Sequence, residues 1–92
     1  MATIYQTTQM GEAHVLVALV PHRGQADLLV RRASSRGLAM GDARWFITRD
    51  KQAATTWVCF TSAGFAHVKI CFVDNDSEAG WQKPSRYKGR FR

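Results

Sequence analysis

The chain has 92 residues, of which 46% are hydrophobic and 22% charged, and it carries a net charge of +6. That balance excludes a disordered polypeptide and fits one domain with a modest core. Its longest apolar run, Val15 to Val20, falls far short of the ~20 residues that span a bilayer, and the opening Met1-Ala2-Thr3-Ile4-Tyr5-Gln6 lacks the basic start of a secretion signal. No membrane association is expected, and the expected location is the cytoplasm.

Along the chain an alanine returns at 13, 26, 39, 53, 66 and 79, at spacings of 13, 13, 14, 13 and 13. A fixed period of this kind decides the architecture before any local propensity does. Two places before the alanine stand Gly11, Gly24, Gly37, Lys51, Gly64 and Ser77, which predicts turns there with positive φ at the glycines. After it, alternate positions are apolar: Val15, Val17 and Leu19, then Leu28 and Val30 with Arg32 as the charged exception, then Gly41, Ala43 and Trp45, then Thr55, Trp57 and Cys59, then Val68, Ile70 and Phe72. The intervening positions, among them His14, Asp27, Arg31, Arg44, His67 and Lys69, are largely polar. Period two with one buried face predicts β-strands. Each unit then reads as a strand of about six or seven residues and a turn of about five, with single helical turns at most. The third unit is irregular, since Met40-Gly41-Asp42-Ala43-Arg44 carries the extra residue, which predicts a bulge or loosened strand. Trp45, Trp57, Phe72 and Trp81 fall on inward columns and read as core.

The pattern stops at Ala79-Gly80-Trp81, so the expected organisation is a repeat-built β domain over 1–81 and a basic C-terminal tail over 82–92. Cys59 and Cys71 sit one column out of register in neighbouring repeats. A disulfide between them is not expected.

A thirteen-residue strand-and-turn unit repeated six times, closing on Glu78-Ala79-Gly80-Trp81, resembles the small bacterial septoil-knot family. Gln25-Ala26-Asp27-Leu28-Leu29-Val30, Trp45-Phe46-Ile47 and Ala66-His67-Val68-Lys69-Ile70-Cys71-Phe72-Val73-Asp74 are also similar to that family. The resemblance covers roughly residues 3 to 82 and implies an all-β domain knotted deeply as a seven-crossing torus, with no assigned activity and no catalytic motif. It also gives the alanines a reason, because backbones that cross closely need small side chains.

Chemistry-bearing residues are few. His14, His22 and His67 show no metal-ligand spacing, and Asp74, Asp76 and Glu78 resemble an EF-hand opening only until Ala79 stands at its glycine position and Ser85 at its closing glutamate position. No nucleophile elbow, phosphate loop or dinucleotide fingerprint occurs. Cys59, on an apolar column, does not read as a reactive thiol. No metal, no cofactor and no catalytic residue is expected. The tail differs: Lys83, Arg86, Lys88, Arg90 and Arg92 supply five positive charges with no acidic residue, and Tyr87 and Phe91 are interleaved among them. Cations that meet phosphates and rings that stack on bases are what single-strand binders use. Arg31, Arg32, Arg36, Arg44 and Arg49 would extend such a surface. The reading is therefore a stable, non-enzymatic β-repeat module, structural or binding, a monomer or small homo-oligomer. Its alternative is a protein that binds nucleic acid or another anionic partner through tail and arginine-rich middle.

Overall fold

The two-residue alternation is realised in this computed structural model, which describes residues 2–92, as strands joined by single 3-10 turns, or between Phe60 and Val68 by a simple turn, with no α-helix among the described residues. The strands are β1 (Ala2–Gln6), β2 (Val15–Leu19), β3 (Leu28–Arg32), β4 (Arg44–Thr48), β5 (Thr56–Phe60), β6 (Val68–Phe72) and the short β7 (Gly80–Trp81). The first six are parallel and close on themselves in the order β4-β1-β5-β2-β6-β3 and back to β4. β1, β2 and β3 occupy every second place in the ring; β4, β5 and β6 fill the gaps in a second circuit. Every barrel pairing thus joins a strand of the first circuit to one of the second.

Each strand uses its first half for one neighbour and its second half for the other. β2 pairs with β5 through Val15 to Val17 and with β6 through Val17 to Leu19. This stagger is the shear that lets a small sheet close, and it leaves each ladder only a few residues long. In four of the six units the residue that follows the alanine lengthens the ladder by one step. The His14 N–H donates to the Trp57 carbonyl at 2.7 Å while His14 Nδ1 accepts from the Trp57 N–H at 3.0 Å. The same two-way clamp joins His67 to Leu16, Asp27 to Lys69 and Thr55 to Thr3. Three different side chains fill this column because each presents a side-chain acceptor one residue before the strand start.

The barrel interior is filled by Ala2, Ile4, Val15, Val17, Leu28, Val30, Trp45, Val58, Val68 and Ile70, all fully or almost fully buried, together with Phe91 from beyond β7. Outside the wall, Val20, Ala26 and Leu29 form a second cluster with Cys71 and Val73, over which the turn Arg23–Gln25 folds.

The structure corrects three expectations. The alanine that ends the fourth turn is Ala54, not Ala53, so the inward positions of β5 are Thr56, Val58 and Phe60. Trp57 consequently faces outward, where it stacks on His14 and meets Tyr5 edge-on. The same shift puts Cys59 and Cys71 in one outward column; both are free thiols, kept apart by the intervening β2. Finally, Gly11, Gly24, Gly37 and Gly64 do not have positive φ, which among the described residues occurs only at Gly41, Gly80 and Gly89. At the repeat glycines a Cβ would meet nothing within 4 Å.

Two sets of substitutions test this account. Gly24→Ala and Gly37→Ala should stabilise by about 0.4–1 kcal/mol through the unfolded chain, whereas Ala26→Leu, at a fully buried position, should cost on the order of 1–3 kcal/mol; Ala66→Leu, at a half-buried one, should cost less. His14→Ala should cost about 0.5–1.5 kcal/mol and His14→Asn less than half of that, since an amide oxygen restores the acceptor. Urea midpoints at constant slope measure all six.

Candidate anion-binding site

The basic C-terminal segment crosses the barrel at the end where the strands begin. Its fixed point is Asp42, in the one irregular unit: the chain turns through Gly41 (φ +69), and β4 starts late, at Arg44. The Asp42 carboxylate accepts from Trp81 Nε1 at 2.9 Å, the Gly89 N–H at 2.5 Å and the Phe91 N–H at 3.2 Å. The Asp42 carbonyl accepts from Trp45 Nε1 at 2.6 Å. Gly89, at φ +87, gives the backbone a bend that few other residues adopt. Thr56 Oγ1 and Thr55 Oγ1 donate to the carbonyls of Arg90 and Phe91 at 2.7 and 3.0 Å.

This docking changes the roles expected of the segment. Phe91 is fully buried, with its ring 5.0 Å from Trp45 and 6.2 Å from Trp81, and is no stacking platform for a base. Tyr87 is covered in part by His67, parallel at 4.9 Å, and Arg86 lies over its ring at 5.4 Å. Lys83 approaches Asp27 at 3.9 Å. Lys88, Arg90 and Arg92 remain exposed. The cations thus keep access to solvent while the rings serve the fold.

The arginine-rich middle gives the more concave feature. At the β3–β4 seam only Arg31↔Arg44 and Arg32↔Trp45 are in register. Two guanidinium-bearing residues directly opposite would repel, and Asp76 offsets this by lying 3.6 Å from Arg31 Nε and 3.5 Å from Arg44 Nε. The turn Asp76–Glu78 that presents Asp76 is itself held by Glu78, which accepts from Asn75 at 3.0 Å and pairs with Arg23. Those bonds, Asn75 first and Arg23 second, hold the Glu78 carboxyl below the usual carboxylate range. Around the seam Arg31, Arg32, Arg44, Ser34, Leu38 and Met40 line an open cavity of about 490 Å³ with Asp76 at its edge. Three cations face one carboxylate there, beside two apolar side chains that are 57% and 62% exposed. Arg36 stands on the adjoining turn, while Arg49 is not part of the lining.

The sequence model of the 7(1) septoil knot domain matches residues 1–82. The chain belongs to this family. The septoil knot match spans all seven strands and stops before the segment that carries Phe91. No curated protein and no solved structure matches the chain. Among the described residues, no cluster of metal-ligating side chains is present and no helix is long and apolar enough to cross a membrane.

Asp42 was not singled out by sequence pattern, although it lies in the unit that breaks the period, and that insertion was the available signal. Asp42→Ala strands three donors and should cost on the order of 3 kcal/mol. Phe91→Ala should cost about 3–5 kcal/mol through the cavity it leaves. Thermal and urea unfolding, followed by the fluorescence of Trp45 and Trp81, check both.

Proposed function

We propose that this septoil knot domain is a non-enzymatic binding module, resistant to unfolding and resident in a reducing cytoplasm, whose arginine cavity at the β3–β4 seam takes the phosphate or carboxylate groups of an anionic partner. The observation that carries this reading is the convergence of Arg31, Arg32 and Arg44 on one concavity with a single compensating acid. Guanidinium groups suit such oxygens because their fork matches them two at a time. Asp76 holds the cavity's shape by pairing at long distance, and an incoming anion replaces it on Arg31 and Arg44. Leu38 and Met40 add apolar contact that a bare ion does not need, so a macromolecular partner fits better than a free ion. Free Cys59 and Cys71 are in keeping with a reducing location.

The second reading, a nucleic acid held by Lys83, Arg86, Lys88, Arg90 and Arg92, is favoured by the exposure of most of those cations. With Phe91 buried and Tyr87 half-covered, such binding rests on phosphates and is indifferent to sequence.

Fluorescence anisotropy with a labelled glutamate-rich peptide and a labelled single-stranded oligonucleotide, each at two salt concentrations, separates the readings. Arg31→Gln with Arg44→Gln should weaken binding by about tenfold or more, while Arg86→Gln, Lys88→Gln, Arg90→Gln and Arg92→Gln together should change it by less than about twofold. The reverse order would assign the site to the C-terminal segment. Absence of binding to both probes at low salt overturns both readings. Deleting the segment is unsuitable as a test, because it removes Phe91 from the core.

A further inference from the structure

The two mouths of the barrel are unlike. Where the strands begin, Phe91 and Trp81 pack against the core and close the opening. Where they end, Gln6, Leu19, Arg32, Ile47, Phe60 and Phe72, one residue from each of the six barrel strands, surround an open cavity of about 260 Å³. Its floor is solid, since Ile47, Phe60 and Phe72 pack directly against the buried core, so the opening is a cup rather than a pore.

The composition of the rim is selective. Four of the six residues are apolar, and Leu19 is 57% exposed at the rim. Arg32 is the one cation of the rim. It makes no ion pair among the described residues, in contrast to Arg31 and Arg44, which share Asp76. Its guanidinium lies 5.8 Å from the centre of the Phe72 ring, on the apolar wall. Arg32 is also the position at which the inward column departs from apolar residues, so the strand pattern itself places a charge at the lip of an apolar bowl. The carboxyl ends of parallel strands are where α/β folds generally bind small ligands, and an apolar concavity with one or two polar groups is the usual form of such sites.

We propose that this mouth binds a small amphiphilic carboxylate, its compact aromatic or aliphatic body seated on Leu19, Ile47, Phe60 and Phe72 and its carboxylate on Arg32, with the Gln6 amide as a further donor. The cup is too small and too shallow for a folded partner. Its one uncompensated positive charge selects an anion over a neutral amphiphile. The mouth shares one residue, Arg32, with the arginine cavity on the outer wall and needs neither Arg31 nor Arg44.

The test is a titration of the isotopically labelled full chain with benzoate and hexanoate, using benzyl alcohol and hexan-1-ol as neutral controls, followed by amide chemical shifts. Shifts should centre on Gln6, Leu19, Arg32, Ile47, Phe60 and Phe72, with each acid binding at least about tenfold more tightly than its alcohol, the discrimination one charge-assisted hydrogen bond gives. Arg32→Gln should abolish the preference for acid over alcohol. Leu19→Asp, at an exposed position, should abolish acid binding by placing a competing carboxylate beside Arg32. Lys69→Gln, an exposed cation that lines neither cavity, should leave acid binding unchanged. Equal affinity for acids and alcohols, shifts centred on Arg31 and Arg44 instead of the rim, or no shift at millimolar ligand would each overturn the proposal. Rim shifts that follow protein concentration, with no response to either acid, would overturn it in favour of a second copy of the chain as the occupant.

Discussion

The structure depends on stagger. Because each parallel strand gives half its length to one neighbour and half to the next, six short strands close into a ring. The same geometry starves each ladder, which holds only a few register pairs. The acceptor side chains of His14, Asp27, Thr55 and His67 follow from that shortage, each adding one clamp at a strand start. Two histidines that invite a metal or acid–base reading therefore have a defined structural task, with Nδ1 as the acceptor.

The seam between β3 and β4 is the place where the ladder is shortest, and much of the remaining chain is arranged around it. β7 pairs with Leu28 and Leu29, the part of β3 that β4 does not reach. Asp76 joins the opposed Arg31 and Arg44 from outside. Asp42, on the loop that delivers β4, binds the backbone of Gly89 and Phe91 and the indole of Trp81. Irregularity in the third unit is thus the source both of the arginine cavity and of the anchor for the C-terminal segment. A perfectly periodic chain would have neither.

Much of the fold was legible because the alanine period and the two-residue alternation both act through local sterics. The strands, the single turns and most inward residues follow from them. What failed was phase at one point: Ala53-Ala54 offers two candidates for the same column, and only the packing of Thr56 and Val58 against the core selects the second. That choice turned Trp57 outward. The glycine expectation failed because these turns, four-residue reversals as well as 3-10, pass through the repeat glycines without positive φ. Phe91 was misread because charge density in a segment says nothing about what its backbone binds, and the partners of the Arg90 and Phe91 backbone, Asp42, Thr55 and Thr56, lie more than thirty residues away. Of the arginines, sequence supplied the cluster but not the division between the paired Arg31 and Arg44 and the solitary Arg32.

The interleaved circuits carry a consequence for how the chain can exist in part. Residues through β3 contain three strands, none of which hydrogen-bonds to another, and the same holds for β4 to β6. Each half is a set of unpaired edges whose complement is the other half. Neither is a stable folding intermediate, and each is an aggregation hazard while it waits. The molecule behaves as an obligate pair of fragments joined by the loop from Ala33 to Ala43, so partial unfolding that frees one strand weakens two ladders at once and local opening tends to become global.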